Sequence, residues 1–292
     1  MAASPGVPLL IGVMGPTASG KTELAEQLAE IHNAQLVNAD AFQIYRGMDI
    51  GTAKPENSGT YRLLDIRNPS EGFGVGEYVV LAQEVLSECW ELQKNVVVVG
   101  GTGLYIRALF EEYDDMGQAP SVELRESLNA RSLESLVEEL QIVAPEQAGT
   151  LDLRNRVRVQ RAIERIHNPK PSVPVHLPPF NKRKFGVIRE TEETFERIAQ
   201  RAEAMMQKGW VREVQTLMSH GYSILDPGFR ALGYGAIWKS LSGEIDLQEA
   251  QATTIAETRK YAKRQRTWLR SEPNLVILDS GNALQDAMRY LS

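Results

Sequence analysis

Eight residues, GPTASGKT from Gly15 to Thr22, constrain the fold of this chain more than any other stretch. They fill the frame GxxxxGK[ST], with Gly15, Gly20, Lys21 and Thr22 at its defined places. The run before them, Val7 to Val13, is apolar and short enough for a buried strand, while Glu23 to His32 has helical spacing. Strand, loop and helix in that order predict a phosphate cradle. The loop runs from Gly15 through Pro16, Thr17, Ala18 and Ser19 to Gly20; the backbone N–H groups of all but Pro16, which has none, line an anion-binding concavity, and the following helix adds the positive end of its dipole. Lys21 is expected to reach the outer phosphates, and the Thr22 hydroxyl to ligate a bridging Mg2+. A tight strand-to-helix turn with no ligand is the plainer alternative. The motif implies a diphosphate-bearing ligand and leaves the reaction open.

Further apolar runs at Gln35 to Val37, Val96 to Val99, Phe185 to Ile188 and Leu275 to Leu278 alternate with helical stretches. The predicted class is α/β, P-loop NTPase-like, with a mostly parallel sheet that places ligands at the carboxyl ends of its strands. Between about Tyr113 and Lys184 the strands give way to helical segments, such as Val122 to Gln141 and Leu153 to Ile166. A core of residues 1–112 and 185–292 is therefore expected to carry a helical insertion, residues 113–184. The insertion's downstream edge, HNPKPSVPVHLPPFNKRK, holds five of the chain's fourteen prolines and suits a connector. A helix then resumes, with Thr191 or Thr194 as its N-cap candidate and Gly209 at its end.

The 292 residues are 42% hydrophobic, enough for a large core. No window approaches the roughly 20 apolar residues of a membrane span, and the first basic residue is Lys21, so a cytoplasmic, monomeric enzyme is expected. The single cysteine, Cys89, excludes an internal disulfide framework and a cysteine-based zinc module. A net charge of −6 argues against a nucleic-acid partner on average, but not locally. RKYAKRQRTWLR, Arg259 to Arg270, has six basic residues and no acid, and the segment from Arg154 to Arg161 has four arginines. Arg259, Lys263, Arg266 and Arg270 follow at intervals of four, three and four, one stripe of a helix. Beside Tyr261 and Trp268 they suit phosphate contact, a solvated face being the alternative.

Two further stretches bear on the reaction. Asp40 ends the second strand in VNADAFQIYRGMDIGTAKP, where a carboxylate can face whatever approaches bound phosphates and activate an acceptor. Its alternative role is to cap a turn through its own backbone. VVVVGGTGLY ends in Gly100, Gly101 and Thr102 where a nucleotide hydrolase usually has an aspartate for Mg2+, which leaves Asp65 as the nearby substitute. Two glycines there predict close approach by another molecule, with Thr102 hydrogen-bonding to it.

In this order GPTASGKT, NADAFQIYRGMDIGTAKP, VGGTGLY, RIAQRAEAMMQKG, LGY and TRKYAKRQRTWLR resemble the tRNA dimethylallyltransferase family, from about Pro8 to Leu269. The resemblance implies transfer of a dimethylallyl group from dimethylallyl diphosphate to the exocyclic N6 amine of adenosine 37 in tRNA, beside the anticodon, with diphosphate leaving. It implies that Asp40 takes the amine proton, that Thr102 lies near amine and diphosphate, and that Arg201 and Lys21 approach the diphosphate. It assigns tRNA contacts to Ala41, Phe42 and Gln43, to Arg125, Arg158, Gln160 and Arg161 in the insertion, and to Arg259, Lys263 and Arg264. The implied partners are dimethylallyl diphosphate and the tRNA anticodon stem-loop, with Mg2+ as cofactor and no membrane. This chain departs from the family's usual pattern at Ala41, Tyr61, Ala144 and Val157. A small-molecule P-loop kinase and a non-catalytic nucleic-acid binding module are the competing readings; the kinase leaves the basic stripe and the insertion unexplained.

Overall fold

The computed structural model describes residues 6–111, 122–167 and 176–291. The chain divides into two compact units, residues 1–112 with 176–292, and residues 113–175. Residues 168–175 of the proline-rich connector, and the edge expected near Tyr113, lie outside the described residues, while the connector's last residues, 181–184, belong to a strand of the larger unit.

The larger unit opens with β1 (Leu9–Met14), α1 (Lys21–Ile31), β2 (Gln35–Asn38), β3 (Tyr61–Arg62), α2 (Val75–Glu91), β4 (Val96–Gly100) and α3 (Gly103–Phe110). The smaller unit holds α4 (Val122–Asn129), α5 (Leu133–Val143), α6 (Pro145–Thr150) and α7 (Arg156–His167). The larger unit resumes with β5 (Asn181–Ile188), α8 (Thr191–Gln207), α9 (Trp210–Ser219), α10 (Tyr234–Leu241), α11 (Leu247–Arg270), β6 (Leu275–Asp279) and α12 (Ala283–Leu291).

One sheet runs in the order β3-β2-β4-β1-β5-β6, and every neighbouring pair is parallel. A parallel sheet is covered on both faces, so its central strands read as unbroken apolar runs. Val96, Val97 and Val98 of β4 and Leu10, Ile11 and Val13 of β1 are fully buried. The two-residue β3 carries no such signal; it joins the edge through Leu36 opposite Tyr61, and the Tyr61 hydroxyl donates to Glu26 of α1 at 3.0 Å. A second core lies under the segment after β2, where Ile44, Tyr45 and Met48 pack with Trp210, Val214, Leu217, Phe229 and Tyr234.

The smaller unit packs Leu128, Leu136, Leu140, Val159 and Ile163 together. The helical stretch expected from Val122 to Gln141 is two helices. Ser132 stops continuation by capping α5, its hydroxyl accepting the Ser135 N–H at 3.2 Å. Arg156 closes the end of α4 by donating to the carbonyls of Leu128, Asn129 and Arg131. No described helix is long and apolar enough to cross a membrane.

Candidate active site

Strands β2, β4, β1 and β5 stand side by side, so the segments leaving their carboxyl ends are neighbours as well. Val13 pairs with Val99, Asn38 also pairs with Val99, and Met14 pairs with both Gly100 and Gly186. That register brings Gly15, Asp40, Gly101 and Arg189 to one edge of the sheet.

Gly15, Pro16 and Ser19 are buried, and Ala18 and Gly20 take left-handed backbone angles, φ 66° and 92°. For Ala18 this conformation costs about 1–2 kcal/mol, whereas Gly20 adopts it freely and starts α1. Lys21 and Thr22 form the first turn of α1, where backbone N–H groups have no partner inside the helix. Burial first, and the Arg201 cation after it, lower the Lys21 pKa to about 8 against the opposing effect of Asp40. Burial also lowers the Arg201 pKa, again against Asp40. Two desolvated cations thus share one carboxylate beside the loop. A third cation, an arginine overlooked in the sequence, belongs with them. Arg189 leaves β5 with Nη2 3.8 Å from where a Gly20 Cβ would stand, pairs with Glu193, and buries Nε without a partner.

Asp40 fills both roles that its position suggested. Its Oδ1 accepts the Phe42 N–H at 3.0 Å, a turn cap. Its Oδ2 points toward Gly101, 3.1 Å from where a Cβ would stand on that residue. Buried Asn38 fixes the Asp40 backbone, accepting its N–H at 3.0 Å and donating to its carbonyl at 3.2 Å and to that of Leu63 at 3.0 Å. Thr102 reaches across from β4, its hydroxyl accepting the Ala41 N–H at 3.0 Å and its own N–H donating to the Ala39 carbonyl at 3.2 Å. Across the same space Asp40 helps burial to raise the pKa values of Tyr105 and Tyr261.

Two expectations need correction. The space left by Gly100 and Gly101 is filled by the protein itself rather than offered to a ligand. A Cβ on Gly100 would stand 2.1 Å from the Ala39 backbone, and one on Gly101 2.7 Å from Gln265 Nε2. Asp65, the proposed metal substitute, is paired to Lys54, whose ammonium also holds the Tyr45 carbonyl and Asp49 at 2.6 Å.

The segment carrying Phe42 and Gln43 is latched from below. Glu213 of α9 accepts the N–H groups of Asp49 and Ile50 at 2.7 Å and of Gly51 at 3.3 Å, plus the Tyr234 hydroxyl at 2.6 Å. Gln43 spends its amide on the carbonyls of Thr52 and Ala53, so its Oε1 is the atom left to face a ligand.

The basic stripe of α11 splits in two. Arg259 donates to the Phe195 carbonyl and lies 5.2 Å over the Phe195 ring, and Arg266 donates to the Thr191 hydroxyl at 2.7 Å, so both are drawn onto α8. Lys263, whose ammonium also lies 5.4 Å over the Phe195 ring, and Arg270 stay exposed on an open groove with Thr191, Phe195 and Arg266, and exposed Arg264 lies over Tyr261. Neither threonine caps α8. Glu190 stands at the N-cap without a side-chain bond, and Thr194 donates back to its carbonyl. In the smaller unit, Arg125 and Arg161 share the buried Glu164, Gln160 donates to Asn129, and Arg158 is exposed.

A family model described as IPP transferase matches residues 43–272. The chain is 36% identical to the tRNA dimethylallyltransferase of Acaryochloris marina, covering 94% of each protein. It is 30% identical to a solved tRNA isopentenylpyrophosphate transferase of Bacillus halodurans, with a TM-score of 0.72 and coverage of 97% of this chain and 95% of that one. A eukaryotic dimethylallyltransferase solved acting on tRNA, 21% identical with a TM-score of 0.82 over 96% of this chain and 78% of that one, shares the fold.

Proposed function

The chain belongs to the IPP transferase family, the tRNA dimethylallyltransferases, and from that premise we propose how its residues carry the reaction. It is a transferase, moving a dimethylallyl group from dimethylallyl diphosphate to the N6 amine of adenosine 37 in tRNA. The observation that carries the proposal is the pairing of Lys21 and Arg201, two desolvated cations with an excess of positive charge, with a carboxylate oxygen of Asp40 that the fold leaves unused. The first feature suits a departing diphosphate, and the second suits an amine losing its proton.

In this reading the loop amides, Lys21 and Arg201 hold the diphosphate, and they neutralise the charge that builds on it as the carbon–oxygen bond breaks. The electron pair of that bond leaves with the diphosphate. The amine nitrogen bonds to the freed carbon, and its proton passes to Asp40 Oδ2. An aromatic amine is a weak nucleophile, so its alignment matters as much as the base. Thr102, held by the Ala41 amide, has its hydroxyl proton free to donate to amine or diphosphate.

Magnesium belongs to the same proposal. Thr22 offers one neutral oxygen, and among the described residues no three acidic, imidazole or thiol groups gather to hold an ion by themselves. That donor set fits an ion carried in by diphosphate with its own water shell, which would spread the charge of the leaving group. For tRNA, the exposed Lys263, Arg264 and Arg270 supply backbone contacts from α11, with Arg158 in the insertion, while Ala41, Phe42 and the Gln43 Oε1 meet the target base. The adenine must leave its stack to reach them. The enzyme acts as a cytoplasmic monomer in this reading.

Unmodified tRNA, labelled dimethylallyl diphosphate and competing ATP test the whole reading. Label entering tRNA from the prenyl donor alone is the expected result. Phosphate transfer from ATP without prenylation would restore the kinase alternative, which leaves the tRNA-facing cations without a purpose.

A further inference from the structure

Gln265 lies on α11, far in sequence from both loops, and is buried at 8% exposure. Its Oε1 accepts the Thr17 N–H at 2.9 Å and lies 3.5 Å from the Thr17 hydroxyl. Its Nε2 donates to the Gly101 carbonyl at 2.9 Å. One side chain therefore spans from the loop proposed to grip the leaving group to the turn that carries Thr102 and borders Asp40. The fit leaves no slack, because a Cβ on Gly101 would meet Gln265 Nε2 at 2.7 Å.

The element that presents Gln265 is itself fixed. Just beyond α11, Glu272 sits buried between Lys184 of β5, at 2.7 Å, and Arg107 of α3, at 2.8 Å. Lys184 also pairs with Glu111 at 2.6 Å. A buried ion pair with every partner in place is costly to distort. One turn before Gln265, Tyr261 lies against its side chain and within the field of Asp40.

We propose that Gln265 is a positioning residue for prenyl transfer: bridging the Thr17 amide and the Gly101 carbonyl, it sets the separation between the diphosphate cradle and the turn that aligns the acceptor amine. The inference rests on the prenyl-transfer reading. Leaving group, carbon and nitrogen must lie nearly in line, and a misplacement of about 1 Å can cost about 100-fold in rate. A carboxamide suits the task because it sets an acceptor oxygen and a donor nitrogen side by side on a rigid plane, and both atoms are used here. The same bond withdraws the Thr17 amide from the donors that the loop can offer a phosphate.

Two variants of the full-length protein test this. Gln265→Met keeps the bulk and removes both bonds. Gln265→Glu keeps the acceptor for Thr17 but turns an oxygen toward the Gly101 carbonyl. For Gln265→Met the expected result is kcat down about 10- to 100-fold, with KM for the prenyl donor, Kd for tRNA and the melting temperature close to those of the parent. Hydrogen exchange should quicken in residues 15–20 and 100–103 together. In Gln265→Glu it should quicken chiefly in 100–103. A kcat within twofold of the parent overturns the proposal, as does a parallel fall of kcat, both affinities and melting temperature, which would make Gln265 a packing residue. A slow variant with unchanged exchange in both loops overturns it as well. If the parent itself transfers no prenyl group, the functional reading fails, while the exchange measurement still reports whether the bridge exists.

Discussion

Asp40 caps its own turn by accepting the Phe42 N–H through Oδ1 at 3.0 Å, which leaves Oδ2 free toward Gly101. Structural and chemical duties fall on different oxygens of one carboxylate, so substitution can separate them. Asp40→Asn retains the cap acceptor and loses the base, whereas Asp40→Ala loses both. Turnover should fall about 100-fold or more in each, with tRNA affinity kept in the asparagine variant and weakened in the alanine one. Single-turnover kinetics beside filter binding decides, and near-normal turnover in Asp40→Asn removes Asp40 from the chemistry.

Lys21 gives the protein a pH signature. Its folded pKa, about 8, lies below the 10.5 of a free lysine, so between those values the unfolded chain binds the extra proton. Its buried charge therefore weakens the fold below about pH 8, and stability recovers as pH rises toward 10.5. Diphosphate affinity runs the other way, because the charged form is the one that binds. Calorimetric titration with pyrophosphate should show little change in Lys21-dependent affinity below pH 8 and a loss approaching tenfold per unit above it. Lys21→Arg, charged throughout, should lose that slope, and a parent profile flat across the same range would contradict the assignment.

Removing the Glu213 latch should loosen the segment after β2. Glu213→Ala leaves three loop N–H groups and the Tyr234 hydroxyl without their acceptor. Thermal or urea unfolding should register a loss of about 3 kcal/mol, with Glu213→Gln losing about a third of that. The KM for tRNA should rise in step, because the same segment carries Phe42 and Gln43. Unchanged unfolding would show that the segment holds itself.

The two halves of the α11 stripe should behave differently. Lys263→Ala, exposed, should flatten the dependence of tRNA affinity on salt by about one unit of logarithmic slope and cost at most about 1 kcal/mol in unfolding, from its contact with the Phe195 ring. Arg266→Ala should lower the melting temperature instead, because the Arg266 guanidinium serves Thr191 at 2.7 Å. The same slope change from both would mean that the stripe acts as one face.

Much of this was legible in the chain and some was not, for physical reasons. Buried parallel strands such as Val96 to Val99 advertise themselves as apolar runs, and the phosphate loop by its spacing. The two residues of β3 are too few to carry a pattern, and one serine at position 132 splits a helical stretch that periodicity reads as continuous. The least legible residues are polar ones that face inward. Gln265 lies between buried Ala262 and Leu269, and Glu213 between buried Trp210 and Val214. In each case the helical spacing places a polar side chain on the apolar face, a signal that can be read but that favours no particular partner.

The ladder of β1 has a consequence for how the protein is made. This strand is synthesised well before its partners, which come from residues 96–100 and 181–188, and before the bridge to its loop, which comes from position 265. Pairings so distant along the chain form slowly, and until they form the apolar strand has no shelter. A ribosome must release the chain through position 265 before the cradle is finished. Translation that halts short of α11 would leave a chain that owns the motif and cannot hold its shape, a substrate for chaperones and proteases rather than a slower enzyme.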